Sequence, residues 1–253
     1  MSGLQKLDRA LGCFRNGDLI VFGARPSIGK TAVMLNFALS AKKPVGIIST
    51  EQGRVQMGAR TMSIDSRVSL HKQRTAALDK SDWQNMTKCL SKMRDVKAWL
   101  NDKPSATIND ILRQARKWKQ LHNIGALYVD YIQHIPGDNR IPRHLQVEST
   151  VVALKNLARE LDIPVVALAQ VNRKVEDRTD KRPFMSDLKD SGSIEQEADQ
   201  IALIYRDEVY NDPSPLQGII EFNIAKNRHG PIGKLDAVWL GEYLLVKDIE
   251  ARY

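Results

Sequence analysis

Asp18-Leu-Ile-Val-Phe-Gly-Ala-Arg-Pro-Ser-Ile-Gly-Lys-Thr31 runs from an apolar stretch into a small-residue turn closed by Gly-Lys-Thr. A short buried strand, that turn and the apolar segment Ala32 to Leu39 follow one another in the order strand, loop, helix, which is the arrangement of a P-loop. The residue types suit the chemistry. A loop running through Ala24, Arg25, Pro26, Ser27 and Ile28 wraps backbone N–H groups around a phosphate, and the following helix adds its positive dipole end. Gly29 lets the backbone approach closely, Lys30 reaches the β and γ phosphates, and the Thr31 hydroxyl can ligate the Mg²⁺ that bridges them. The first small position of the motif is Ala24, with Gly23 just before it, so the opening turn is one that Ala can adopt.

Composition narrows the class. The 253 residues carry 38 Lys and Arg against 30 Asp and Glu, a formal net charge of +8 that suits a polyanion such as nucleic acid, although nucleotide-binding enzymes are often basic too. An apolar content of 42% with 27% charged residues fits one globular α/β domain. Cys13 and Cys89 stand alone, in no CxxC pair, and the histidines show no HxxxH or HxE spacing. A reduced intracellular chain without a zinc site is therefore expected. No apolar run approaches the length of a membrane span and no signal-peptide pattern opens the sequence. The expected location is cytoplasmic, in a bacterium or in the host of a phage-encoded protein, with no membrane partner.

Apolar runs at Asp18 to Phe22, Pro44 to Ser49, Ala126 to Asp130 and Pro164 to Ala169 read as buried strands separated by helical-period segments. That predicts a mostly parallel central sheet flanked by helices. In Val147 to Leu161 the residues Val151, Leu154, Ala158 and Leu161 form one stripe, with Lys155, Arg159 and Glu160 off it. Further helices are predicted over 81–96 and 107–123, with Trp83, Trp99 and Trp118 assigned to the core. After Tyr205 the pattern turns to strands, at Gly218 to Ala225, Leu235 to Leu240 and Tyr243 to Val246, which extend the sheet in antiparallel fashion.

Several strand ends carry chemistry. Asp130 closes an apolar strand where such sheets meet their phosphate loop, and is the Mg²⁺ candidate. Glu51 closes Ile47-Ile-Ser-Thr-Glu at the same edge and is the candidate general base for water. Gln170 ends another strand; its amide can hydrogen-bond a γ-phosphate, or it is an ordinary strand-end residue. In Asp187 to Asp199, Ser193 followed by Gln196 reads as a capping box, which puts Gly192 and Ser193 at a helix N-terminus. The basic loop before it, with Arg173, Lys174, Arg178, Lys181 and Arg182, either tracks a nucleic-acid backbone or is a solvated surface. Lys226 and Arg228 alternate onto one face past a strand end, and can serve a phosphoryl group in an adjacent subunit or form a surface ion pair. Arg206 is a candidate beside the nucleotide.

In order, GARPSIGKT, IISTEQ, LYVDYIQ, LARELDIPVVALAQVNR, DKRPFMSDLKDSGSIEQEAD, IYRDEVY and AKNRHGPIG resemble the motor domain of the DnaB-family replicative helicases, from about Gly3 to Val246. The resemblance implies a RecA-like P-loop NTPase over 1–253, an ATP- and Mg²⁺-dependent enzyme. It implies a homo-hexameric ring that moves 5′ to 3′ on single-stranded DNA and unwinds duplex at the replication fork, with a helicase loader and primase as further partners. By match of motifs, Lys30 and Thr31 bind phosphate and Mg²⁺, Asp130 holds the metal and Glu51 activates water. Gln170 matches the γ-phosphate sensor, Lys226 and Arg228 the pair that reaches a neighbour's ATP, and Lys189, Asp190 and Gly192 the DNA-backbone loop. The family's N-terminal helical domain and linker helix are expected to be absent from this chain. His229 replaces a usual Asn and Lys189 a usual Arg, and Lys lacks the bidentate fork of Arg at a phosphate. A RecA-type recombinase or circadian-clock-like ATPase shares the P-loop and fold, and a hydrolysis-deficient ring component is the rival from another class.

Overall fold

In this computed structural model, residues 1–138, 140–189 and 191–249 are described. The chain opens with helix α1 (Gln5–Leu11), strand β1 (Leu19–Ala24), α2 (Lys30–Leu39) and β2 (Val45–Ser49). Three helices follow, α3 (Arg54–Ser66), α4 (Leu70–Thr75) and α5 (Lys80–Met93), and then β3 (Ala98–Asn101), α6 (Ile108–His122) and β4 (Ala126–Asp130). The second half runs through α7 (Arg143–Leu161), β5 (Val165–Gln170), α8 (Ser191–Glu197), β6 (Gln200–Tyr205), β7 (Ile219–Asn227), β8 (Gly233–Leu240) and β9 (Leu245–Asp248).

Among the described residues, nine strands join one sheet in the order β3-β2-β4-β5-β1-β6-β7-β8-β9. The first six in that order pair in parallel, and β7, β8 and β9 pair antiparallel. Every residue of β1 is buried, as a central parallel strand covered on both faces requires. Alternation divides it: Ile20 and Phe22 pack with Phe37 of α2 on one face, while Leu19 and Val21 pack with Val151 and Leu154 of α7 on the other. Strand β7 instead buries every second residue, Ile220, Phe222 and Ile224. The antiparallel extension thus has one packed face and one open face.

Helix ends follow local chemistry. Thr107 and Asp110 form a capping box that starts α6, and Asn123 and Asp162 close α6 and α7 in the left-handed region. The predicted strands and the α6 and α7 regions match the elements observed. Strand β6, which the apolar-run pattern did not single out, is a fully buried parallel strand beside β1.

Three sequence expectations are corrected. Trp83 is not in the core: its side of α5 faces outward and the residue is 57% exposed. Trp118 is buried, and Trp99 is half-buried with its ring stacked on His122 at 4.1 Å. Ser193 is not a helix cap, because α8 already begins at Ser191. Lys155, placed off the apolar stripe of α7, reaches inward to Asp199 at 2.5 Å and the Gly17 carbonyl at 2.8 Å.

Gly46 in β2 lies under Trp118, and a Cβ at this position would sit 2.6 Å from the indole. Because both neighbours are packed, Gly46→Ala is expected to cost about 1–3 kcal/mol of folding stability. Equal unfolding midpoints for variant and wild type in urea would contradict this packing.

Candidate functional site

The C-terminal ends of the parallel strands open onto a cleft of about 670 Å³. Pro26, Ser27, Gly29, Lys30 and Thr31 line it from the loop between β1 and α2, and Glu51 and Gln52 line it from the end of β2. Arg60, Tyr131, Gln170, Arg206, Trp239 and Leu244 add to the wall. Gly29 has φ 111°, a backbone conformation that favours glycine, and a Cβ there would sit in tight contact with the Trp239 ring at 3.0 Å. Of the predicted loop residues, Ala24, Arg25 and Ile28 do not line the cleft. The Arg25 guanidinium turns away, donating to Glu176 at 2.9 Å and to the Val171 carbonyl at 2.9 Å, and so ties the loop to the segment after β5.

Thr31 Oγ1 donates to Asp130 Oδ2 at 2.6 Å, and the second oxygen, Oδ1, is buried without a hydrogen-bond partner. A hydroxyl and an unsatisfied carboxylate oxygen beside a phosphate loop are hard oxygen donors of the kind Mg²⁺ takes, so these residues fit that ion. Burial raises the Asp130 pKa and lowers that of Lys30, the neighbouring ammonium and carboxylate opposing both shifts. Lys30 Nζ lies 4.9 Å from the centre of the Tyr131 ring. Glu51 is set beside this pair by Thr50, whose N–H and hydroxyl both donate to the Asp130 carbonyl, at 2.8 and 2.9 Å. Ser49 Oγ holds the next turn by donating to the Gln52 carbonyl at 2.7 Å.

Arg60 is a cleft residue the sequence reading missed. It projects from α3 with its Nε buried and unpaired, and its pKa is lowered by burial and by Arg74 while Asp130 and Glu51 oppose the shift. The readable signal is position: Met57, Arg60 and Ile64 fall on one stripe of α3, where a charge is out of place unless it serves something. Trp239 carried no such signal. Arg206 stacks on it at 4.5 Å and donates to the Ile28 carbonyl at 3.2 Å, and the indole N–H is buried without a partner.

Lys226 and Arg228 share a face, but at the opposite edge of the sheet. Asn227 pairs with Gln200, and Gln200 pairs with Ile20 near the start of β1, whereas the P-loop leaves from Ala24. Ile20 to Ala24 alone spans about 13 Å at strand rise, so the two cations are out of reach of their own P-loop. They grip the end of α8: Lys226 donates to the Glu195 carbonyl at 2.5 Å, and Arg228 to the Gln196 carbonyl at 2.7 Å and to Asp199 at 3.2 Å. Asp18, Asp199 and His229 bring possible ligand atoms within 4.8 Å of one another, but the Lys155 ammonium, 2.5 Å from Asp199 and 3.9 Å from Asp18, already supplies the positive charge.

Of the loop residues, Lys189 is exposed, and Gly192 lies in the first turn of α8 with open space where a Cβ would point. Asp190 lies outside the described residues. The basic segment is less free than its charge suggests. Arg178 is committed to Asp187 at 2.5 Å and Arg182 to Glu221 at 2.7 Å, while Arg173 and Lys174 stay exposed.

A phosphate-wrapping loop at the C-terminal edge of six parallel strands, with carboxylates from two neighbouring strand ends, makes this a nucleotide-binding domain of the RecA-like ATPase type. The family model of the DnaB-like helicase C terminal domain matches residues 1–248, and the chain belongs to that family. It is 39% identical over 258 residues to the replicative DNA helicase DnaB of Geobacillus stearothermophilus, covering all of this chain and 57% of that protein. The chain thus spans a little over half the length of this relative. A structure described as a DnaB-like replicative helicase and its interactions with primase superposes with a TM-score of 0.93 at 32% identity, covering 99% of this chain and 62% of that one. A second solved structure, described as an ATPase domain, gives 0.94 at 33% identity, covering 99% of this chain and 91% of that one.

One pH dependence follows from the buried charges behind Arg228. Burial, reinforced by Asp199, raises the Asp18 pKa above its ordinary 3.8, against the pull of His229 and Lys155. The folded state therefore holds this proton more tightly than the unfolded state. The stability it contributes is full below the unfolded pKa and is lost as pH rises through the folded one. Asp18→Asn, which cannot ionise, is expected to gain in melting temperature relative to wild type as pH is raised from 4 upward through that range. A constant difference across the titration would contradict the raised pKa.

Proposed function

We propose that this chain is the motor domain of a replicative DNA helicase, hydrolysing ATP between subunits of a homo-hexameric ring that moves 5′ to 3′ along single-stranded DNA. The observation that carries the reading is the division of the site. The P-loop, Asp130 and Glu51 face one edge of the sheet, and Lys226 and Arg228 face the other. A ring in which each subunit presents its far edge to the next subunit's cleft completes the set, a head-to-tail arrangement that closes by rotation.

In such a site the P-loop N–H groups and Lys30 bind the phosphates, and Thr31 and Asp130 would hold Mg²⁺, which would supply charge neutralisation to the triphosphate. Glu51 accepts a proton from the attacking water as its oxygen bonds to the γ-phosphorus and the bond to the β-phosphate oxygen breaks, leaving ADP and phosphate. Arg60, from the same subunit, and Lys226 and Arg228, from the next, stabilise the charge of the transferring group. Gln170 senses the γ-phosphate, and Arg206 with Trp239 flanks the base. Lys189, Asp190 and Gly192 contact the DNA backbone. Primase and a loader are proposed as partners of the whole protein; a primase contact is described for one of the structures it resembles.

Complementation tests the divided site. Glu51→Gln should lower turnover by about 10²–10⁴-fold, and Arg228→Ala by about 10³–10⁵-fold. Mixing the two inactive chains in equal amounts under ring-forming conditions should restore activity at about a quarter of the interfaces, those that combine a Glu51-bearing cleft with an Arg228-bearing neighbour. A mixture no more active than its parts would overturn the shared site.

A further inference from the structure

Gln133 lies in the short 3-10 turn Ile132–His134, three residues past Asp130, and lines no part of the cleft. Its side chain bridges two other segments. Oε1 accepts the backbone N–H of Gln170 at 3.0 Å, and Nε2 donates to the backbone carbonyl of Lys189 at 2.9 Å. The Lys189 N–H in turn donates to the Gln170 carbonyl at 3.0 Å, closing a three-way junction. The junction continues as an antiparallel contact, with Val171 bridged to Leu188 and the Asn172 N–H donating to the Asp187 carbonyl at 2.7 Å. The base of Gln133 is fixed, since Arg143 of α7 donates to its backbone carbonyl at 2.5 Å.

A primary amide can accept from one backbone and donate to another at once, and one orientation of the group satisfies both partners. Burial does not force the bridge: Gln133 is half-buried and Lys189 exposed, so water could serve these groups in its place. What the bridge does is join the end of β5, whose Gln170 side chain faces the nucleotide cleft, to the root of the loop that carries Lys189. A displacement of Gln170 is thereby shared with Lys189 through their own backbone hydrogen bond and through the Gln133 side chain, which ties both to the anchored turn after β4.

We propose that Gln133 is a positioning residue that couples occupancy of the γ-phosphate position to the grip of the Lys189 loop on single-stranded DNA. This rests on the motor reading above. Coupling of this kind is reciprocal, so the nucleotide state must change DNA affinity, and typical couplings amount to about 5–150-fold.

The test is the Kd of a fluorescent oligothymidylate for the full chain, measured with a non-hydrolysable ATP analogue and again with ADP. Wild type should differ by at least about fivefold between the two states, and Gln133→Met, of similar length but with neither donor nor acceptor function, by less than about twofold. Its DNA-independent ATPase rate should stay within about twofold of wild type, since Gln133 does not touch the cleft. A variant that keeps the wild-type difference overturns the role of Gln133, because a merely structural residue would weaken both states alike. A wild type with one affinity in both states overturns the motor reading itself. Should Gln133→Met fail to fold, hydrogen exchange of the Gln170 amide, which donates to Gln133 Oε1, decides in wild type: at least about fivefold slower exchange in the analogue state supports the junction, and equal rates overturn it.

Discussion

The reversal of strand direction between β6 and β7 is the constraint on which the rest depends. Six parallel strands bring their C-terminal ends, and with them the phosphate loop, Asp130 and Glu51, to one edge of the sheet. The first antiparallel strand then delivers Lys226 and Arg228 to the other edge. A chain built this way cannot bring these cations to its own phosphate loop. On the proposed reading they are two halves of one site that face apart, and assembly joins them.

The two edges are nonetheless linked within one subunit. Lys226 and Arg228 are anchored on the last carbonyls of α8, and α8 begins just past Lys189. Lys189 is tied to Gln170 and Gln133, and so to the strand ends that form the cleft. Charges at the far edge are held in place by burial and pairing: Asp199 takes Lys155, Arg228 and the Leu19 N–H together. The Asp199–Lys155 pair is costly to break from either side, because the charge left behind stays buried, whereas Arg228 is half-exposed.

Much of this is legible in the order of residues. Buried strands announce themselves as apolar runs, and a phosphate loop is a local motif, so β1, β2, β4 and β5 and the candidacy of Lys30, Thr31 and Asp130 can be placed from neighbouring residues alone. What stays hidden depends on contacts between distant residues. Gln200 to Tyr205 is as apolar as β1, but it follows α8 after a gap of two residues and carries no turn signal of its own. Arg178 and Arg182 look like part of a nucleic-acid surface, and their partners Asp187 and Glu221 cannot be chosen from charge order. Arg60 and Trp239 enter the cleft from an excursion after β2 and from an antiparallel strand, where no local motif points to a nucleotide. The exposed Trp83 shows the converse error, because residue type favours the core and only the packing of α5 decides.

The most direct test of the divided site is the steady-state ATPase rate per subunit as a function of protein concentration, with and without single-stranded DNA, with Glu51→Gln as the blank. On the proposed reading Arg228 comes from another copy, so the rate per subunit should be near zero at high dilution, rise cooperatively as rings assemble, and rise further with DNA. A rate per subunit that is full and constant across dilution would contradict the account, since it would mean that one chain completes its own site.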